Sequence, residues 1–315
     1  MQHPLAGTGV LLSSHGLGTM TWGRETDEHE AAEMLDLFMA SGGNYVDTAP
    51  FFGEGRAELI AGKLFREIDR DRLIIASHAG VRTDGERRID CSRVNLLRTL
   101  DDSLRRLSLD YLDMWFVDRF DPLVHVEEVL LTMDLAVRSG RVRYVGVGNY
   151  SGWQLAQIVS LADIQISASS VEYSLVQRGI EREHLPAARE LGVTVIPWSA
   201  LGRGVLTGKY RAGVPADSRG ASPQWGRFVQ SHLNADARRT VEAVATAASG
   251  LGLAPVDVAI AWIRQRHGTA TALLGPRTVG QLRASLANAD LELPAEIMQA
   301  LDDVSTFDRM YPDPL

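Results

Sequence analysis

The sequence has only one cysteine, Cys91, among its 315 residues. A single thiol cannot form an internal disulfide, and Cys91 has no metal-ligand spacing around it. We therefore interpret Cys91 as a buried, inert thiol. Residues 1–4 lack the basic stretch followed by an apolar stretch that begins a secretory signal peptide. Together these absences predict a cytoplasmic protein.

Long apolar runs and basic stripes are also missing. No run approaches the ~20 apolar residues that a membrane-spanning helix needs. The formal net charge is -8 and no basic stripe stands out, which argues against nucleic acid or an anionic membrane as a partner. The composition, 45% hydrophobic and 23% charged, is ordinary for a globular protein. A small-molecule substrate is the partner we expect, and the oligomeric state stays open.

Short β-branched runs alternate along the chain with amphipathic segments of helical period, which predicts βα units and a parallel sheet. Eight such units predict a (β/α)8 TIM barrel, and we treat residues 1–315 as one domain. A doubly wound open sheet is the alternative, but no G-x-G-x-x-G follows the first strand. The predicted strands cover residues 16–20, 45–49, 73–77, 111–117, 142–147, 167–173, 194–198 and 270–274.

A long insertion, roughly residues 202–268, separates the last two predicted strands. It begins with a loop rich in Gly, Pro, Ser and Arg, and such long loops are usually functional or mobile. Asp27 is the expected N-cap of the first helix. An irregular tail is predicted at 310–315. The predicted helices cover residues 28–40, 56–68, 92–107, 126–139, 152–161, 181–191, 235–248, 256–265, 279–289 and 294–304.

Polar residues end three consecutive predicted strands, at the rim where barrel enzymes place catalytic groups. Asp47 ends the second strand and precedes a glycine-punctuated loop, His78 ends the third, and Asp118 ends the fourth. We expect the three side chains to meet, because consecutive barrel strands are neighbours. A histidine between two carboxylates is expected to have a raised pKa.

Aromatic residues near these strand ends are candidates for a substrate pocket. Ordinary packing is the alternative for each of them. They are Trp22, Phe51 and Phe52, with Tyr173 and Trp225 as further candidates.

Several separated segments, in the same order along the chain, resemble the aldo-keto reductase family. They cover residues 16–23, 43–55, 144–151, 196–210 and 275–282. The resemblance implies a TIM barrel that reduces carbonyls with hydride from NADP(H). It also implies four catalytic residues: a Tyr that protonates the carbonyl oxygen, a Lys held by an Asp that lowers the Tyr pKa, and a His that orients the substrate.

The resemblance further assigns most of a cofactor site. A loop and helix start that offers backbone N–H groups suits the pyrophosphate. Arg277, in the motif that begins at Gly275, would pair with the 2′-phosphate through its planar guanidinium. Gln281 and Asn288 would hold the adenine end. The pyrophosphate positions are Ser199, Leu201, Gly202 and Arg203.

The nicotinamide end of the family pattern is only partly present. By resemblance, Trp198 would stack on the nicotinamide, with a core aromatic of the barrel wall as the alternative. The carboxamide would be held by Asn149 and Ser170. Gly148 stands where the family has a third polar side chain, so this part of the clamp is reduced.

The catalytic positions depart from the family at three of four places. Asp47 matches the family Asp, but the Tyr position is Phe52, the Lys position is His78 and the His position is Asp118. Phenylalanine has no O–H, so Phe52 cannot protonate a carbonyl. The usual reduction mechanism therefore does not operate at this position.

Two classes of function remain. The first is an atypical enzyme acting on a small carbonyl or hydroxylated metabolite, with His78 as acid or base tuned by Asp47 and Asp118. Its reaction is either NADP(H)-linked hydride transfer or a non-redox elimination or isomerisation, as in a dehydratase or isomerase. The second is a catalytically inactive, NADP(H)-binding or regulatory protein. The three polar residues are then a structural cluster; a metal site built from them is a further alternative that nothing in the spacing selects.

Overall fold

A computed structural model of the chain describes residues 2–223 and 225–306. Eight parallel strands form a nearly closed barrel with helices between them, which confirms the predicted TIM barrel. The barrel strands are β3 His15–Gly18, β4 Tyr45–Asp47, β5 Ile74–Ala79, β6 Leu112–Val117, β7 Val142–Gly148, β8 Ile166–Glu172, β9 Thr194–Trp198 and β10 Ala272–Leu274.

Sequence neighbours are also spatial neighbours around the barrel. The strand order is β10-β3-β4-β5-β6-β7-β8-β9, every pair being parallel. The ring closes next to β10, where Val195 and Thr269 form a parallel bridge. The carboxyl ends of all eight strands therefore lie on one rim.

Helices cover the outside of the barrel. Asp27 caps the first helix as expected, accepting a hydrogen bond from the backbone N–H of Glu30. The helices are α1 Glu28–Ala40, α2 Arg56–Phe65, α3 Arg93–Leu107, α4 Val126–Arg138, α5 Gly152–Leu161, α6 His184–Glu190, α7 Gly226–Gln230, α8 Ala235–Leu251, α9 Pro255–Arg264, α10 Val279–Leu286 and α11 Ala295–Val304. The buried faces of α1 to α6 pack against the strands in a core that includes Phe38, Leu100, Trp115 and Met133, whereas α8 and α11 pack with α9 in a second cluster.

An N-terminal hairpin is absent from the sequence-based prediction. It pairs β1 Gln2–Pro4 with β2 Leu11–Ser13, and each strand has only three residues, too few for a periodic pattern. Leu5 and Leu12 pack into the barrel interior with Tyr45. The hairpin therefore belongs to the barrel's core and lies away from the carboxyl rim.

Other differences are small. The helix predicted at 181–191 is replaced by a 3-10 turn, Gly179–Glu181, followed by the shorter α6. β5 extends past the predicted end, so that His78 lies inside the strand. The predicted tail at 310–315 lies outside the described residues.

Within residues 2–223 and 225–306, no single helix is long and apolar enough to cross a membrane. The helices α8 and α9 pass the same test only as a pair, with a bend of 102° between them.

Candidate active site

The rim brings Asp47, His78 and Asp118 together, as the sequence predicts. Asp47 is the last residue of β4, His78 lies on β5, and Asp118 directly follows β6. The Nε2 atom of His78 is 3.0 Å from Asp47 Oδ2, and its Nδ1 atom is 2.9 Å from Asp118 Oδ1. His78 Nε2 is thus hydrogen-bonded to Asp47, whereas the Nδ1 contact to Asp118 is a short ion pair with poor hydrogen-bond alignment.

The electrostatics of this triad favour an imidazolium. Burial by itself lowers the pKa of His78, but the charge of Asp47 and hydrogen bonds to Asp118 and Asp47 outweigh it and raise the pKa to about 10. The ring also stacks on Phe116 at 4.9 Å between centroids. His78 is therefore a charged group held on three sides, and the expected rise in its pKa is confirmed.

Asn149 connects the triad to Trp198. Its Nδ2 donates to the backbone oxygen of Asp118 at 3.2 Å and to Oδ2 of the same residue at 3.3 Å. Its Oδ1 accepts from the indole N–H of Trp198 at 3.0 Å. The backbone N–H of Asn149 donates to the oxygen of Ser170, which also lines the cavity. Two side chains assigned to the nicotinamide end thus already hold each other.

A cavity of about 690 Å³ opens beside the triad. Aromatic side chains line much of it: Phe51, Phe52, Trp198, Trp225 and Phe228. Phe51 and Phe52 meet edge to face at 5.1 Å, and Phe51 faces His78 at 6.4 Å. Aromatic rings therefore form part of the wall of the pocket next to His78.

Two aromatic assignments to this pocket are corrected. Trp22 is fully buried and packs in the core between barrel and helices. Tyr173 is fully buried too, packs on Trp262, and donates its hydroxyl to Glu181 at 2.6 Å. Both follow or end barrel strands, but their side chains turn away from the cavity.

The loop after β9 has the glycine-rich, strained backbone expected of an anion-binding loop. Ser199 and Arg203 have positive φ angles of 62° and 58°, and the N–H of Arg203 donates to Ser199 Oγ. Ser199, Leu201 and Arg203 line the cavity, as expected. Gly202 lies behind this wall, where a Cβ would come within 2.4 Å of Val176.

The side chain of Arg203 forms hydrogen bonds within the protein. It pairs with Glu172 through two nitrogens at 2.7 and 2.5 Å and donates to the oxygen of Phe228 at 2.5 Å. Glu172 also contacts His232 at 3.1 Å. These bonds fasten α7, and with it Phe228, to the barrel beside the cavity.

One face of α10 completes the wall. Gly275, Arg277 and Gln281 line the cavity as the resemblance implies, together with Ala284 and Ser285. Residues 281, 284 and 285 share a helix face by their spacing. Asn288 would follow on that face, but the helix ends at Leu286 and Asn288 is exposed, outside the cavity wall.

Two basic residues missing from the sequence-based site, Lys209 and Arg219, also line the cavity. Burial lowers the pKa of both, and the charge of Arg277 lowers it further. The Nε and Nη2 atoms of Arg219 are buried and have no hydrogen-bond partner among the described residues. Three cations thus converge, and the carboxylate of Glu25 is the negative charge that partly offsets the effect of burial on Arg219. Lys209 adjoins the predicted loop, whereas Arg219 lies in an irregular insertion with no local pattern.

In the part of the chain that the structure describes, no group of three or more His, Cys, Asp or Glu residues has the arrangement of a metal site. His78 uses both nitrogens on carboxylates, which is the geometry of an ion triad.

Comparison with known proteins agrees with this architecture. The Aldo/keto reductase family matches residues 16–306. The chain is 30% identical to "Uncharacterized oxidoreductase YrpG" of Bacillus subtilis (strain 168), over 95% of this chain and 94% of that protein. It is 30% identical to "Protein tas" of Escherichia coli (strain K12), over 99% of both chains.

A plant protein is similar as well. The chain is 28% identical to a "Probable voltage-gated potassium channel subunit beta" of Oryza sativa subsp. japonica, over 98% of this chain and 96% of that protein. With nearly the whole barrel matched, the chain belongs to the aldo/keto reductase family.

Proposed function

We propose that this protein is an NADP(H)-dependent oxidoreductase in which the triad of Asp47, His78 and Asp118 handles the substrate proton in place of a tyrosine. Family membership supports an oxidoreductase. The observation that carries the finer proposal is one continuous cavity, with this triad and the basic side chains of Lys209, Arg219 and Arg277 in its wall.

The cation cluster fits the phosphates of NADP(H). Arg219 offers two buried nitrogens that no described residue accepts a hydrogen bond from, and buried donors of this kind are costly unless a ligand supplies the acceptor. Lys209 and Arg277 add two charges beside it. Ser199 and Leu201 would contribute the anion-binding loop, and Gln281 the adenine end. Bound NADP(H) would donate or accept the hydride.

In this proposal Asp118 is the residue that exchanges a proton with the substrate. Both nitrogens of His78 are occupied, so its imidazolium orients and electrostatically supports the two carboxylates. Oδ1 of Asp118 contacts His78, while Oδ2 has only the 3.3 Å contact to Asn149 and a 3.8 Å contact to Arg119. Asp118 lines the cavity and would take the proton of a substrate hydroxyl, or return it to a carbonyl oxygen. The sequence-based hypothesis gave this task to His78, and the pairing of its nitrogens favours Asp118.

The first experiment titrates the protein with NADPH and follows tryptophan fluorescence, since Trp198 and Trp225 line the cavity. We expect micromolar binding. Asp118→Asn should bind NADPH equally well but lose about 10²–10⁴-fold in turnover, the usual effect of removing one acid–base group. Asp134→Asn, on the exposed side of α4, is the control and should change neither quantity. Turnover by Asp118→Asn at the wild-type rate would refute the assignment.

A second candidate is a protein that binds the nucleotide without turnover. The observation favouring it is that His78 forms ion pairs with two carboxylates of its own chain, as in a structural cluster. Tight NADPH binding without turnover of any alcohol or carbonyl in a broad panel would support this candidate. Product formation in the absence of any dinucleotide would instead indicate the non-redox elimination or isomerisation.

A further inference from the structure

The charges that line the cavity contrast with those of the whole chain. The protein has a formal net charge of -8, yet within the described residues six Arg and Lys side chains and the His78 imidazolium line the cavity, against only two carboxylates, Asp47 and Asp118. The proposed function uses three of the cations for phosphate, and Arg203 is paired with Glu172. The proposed function assigns no role to Arg24 and Arg119.

Arg119 stands next to the proposed proton acceptor. Its side chain is 41% exposed, and its Nε lies 3.8 Å from Asp118 Oδ2, which is too long for a hydrogen bond. Its backbone oxygen accepts from Cys91 Sγ, which anchors the residue. No described residue accepts a hydrogen bond from its guanidinium. Arg119 thus has an anchored backbone and, among the described residues, a guanidinium with unused hydrogen-bond donors at the cavity wall.

Arg24 lies in the loop after β3 and lines the same cavity. Its only ion pair among the described residues is with Glu54, at 4.0 Å, and Glu54 is 69% exposed. So distant and exposed a pair contributes little. The Arg24 guanidinium also lies 5.8 Å from the ring of Trp225. A second weakly compensated cation therefore lines the same cavity.

We infer that the substrate carries a carboxylate, which Arg119 binds and Arg24 faces, one or two carbons from the reacting hydroxyl or carbonyl. The spacing supports this choice. Asp118 Oδ2 and Arg119 Nε are 3.8 Å apart, and two hydrogen bonds of about 2.8 Å from these atoms reach two oxygens on neighbouring carbons. A guanidinium matches the planar carboxylate in geometry. The inference rests on the proposed function.

The rest of the substrate is apolar. Phe51, Phe52 and Trp225 line the same cavity and offer ring surfaces without polar groups, apart from one indole N–H. An aliphatic or aromatic body packed on these rings would bury apolar surface and gain affinity. The substrate class is therefore a hydroxy or oxo carboxylic acid with an apolar side chain.

The test compares two probes of the same shape, 2-hydroxy-3-phenylpropanoate and its uncharged primary amide. Their dissociation constants are measured by calorimetry on the protein with and without saturating NADP+. We expect the acid to bind about tenfold or more tightly than the amide, the usual advantage of a charge-assisted pair. Arg119→Gln should remove this preference, Arg24→Gln should reduce it, and Arg119→Lys should retain part of it. Arg138→Gln, on the outer face of α4, should leave it unchanged.

Equal affinity for acid and amide, no binding of either probe, or an unchanged preference in Arg119→Gln would overturn the inference. NADPH formation is recorded in the same samples. A preference that depends on Arg119, but without NADPH formation from any hydroxy compound, would leave the carboxylate site standing and reject the proposed redox function. The two failures are thus distinguishable.

Discussion

Gly148 leaves the space that Asp118 occupies. A Cβ at position 148 would lie 2.8 Å from Asp118 Oδ1 and 3.0 Å from its Cα. The same Oδ1 contacts His78. The absence of a side chain at Gly148 on β7 is therefore what allows the Asp118 carboxylate to lie where it does after β6. Gly148 is also the position at which the family pattern has a side chain that holds the nicotinamide. The absence of that side chain leaves room for Asp118 in the triad.

Gly148→Ala should disrupt the triad. Because one close contact is to the Asp118 backbone, rotating the side chain does not relieve it, and overpacking of this kind costs about 1–3 kcal/mol. We expect a lower free energy of unfolding in urea and a loss of turnover. Gly250→Ala is the matched control, since a Cβ there meets nothing within 4 Å in α8. It should gain about 0.5–1 kcal/mol. An unchanged free energy of unfolding in Gly148→Ala would show that the backbone at Asp118 can shift at little energetic cost.

The stability of the fold should depend on pH through His78. Its pKa rises from 6.5 when unfolded to about 10 in the folded protein. The triad's contribution, on the order of 5 kcal/mol, is thus complete below pH 6.5 and is lost between pH 6.5 and 10. Urea unfolding of wild type and His78→Asn between pH 6 and 10 measures it, and the two curves should converge at high pH. An imidazole nitrogen that titrates near 6.5 by NMR would contradict the prediction.

Restoring the family hydroxyl alone should not restore family chemistry. Phe52→Tyr adds a phenol to a cavity in which His78 is held by two carboxylates and stands at the position of the family lysine that lowers the phenol pKa. We expect carbonyl reduction to change by less than about tenfold, against the 10²–10⁴ of a working general acid. Phe51→Tyr, on the neighbouring ring of the same cavity, is the control. A hundredfold gain specific to Phe52→Tyr would show that the phenol was the only missing group.

Replacing Arg219 should make the ligand-free protein more stable and weaken its binding of NADPH. Arg219→Met removes a buried cation with unsatisfied nitrogens, so the ligand-free protein should gain about 1 kcal/mol. Its affinity for NADPH should fall about tenfold or more, because a charged hydrogen-bond donor is lost. Thermal unfolding and fluorescence titration measure the two effects. Arg238→Met, exposed on α8, should change neither. Weaker binding of NADPH without a gain in stability would mean that other groups of the protein already offset the buried charge of Arg219 when no ligand is bound.

The sequence by itself determined the barrel. The alternation of strand and helix patterns located eight βα units with boundaries close to those observed, because both periodicities follow from local backbone geometry. It also located Asp47, His78 and Asp118, since consecutive parallel strands bring their ends together. The three-residue strands of the N-terminal hairpin gave no such pattern.

Only the tertiary structure decided how side chains from separate loops meet. Trp22 follows a barrel strand as Phe51 does, yet one packs in the core and the other lines the cavity. Arg219 lies within an irregular insertion, and its approach to Arg277 depends on how that insertion folds back over the barrel. The space beside Gly148 exists only because β6 and β7 pair in one register. Local propensity carries no information on such contacts, because packing between distant segments sets them.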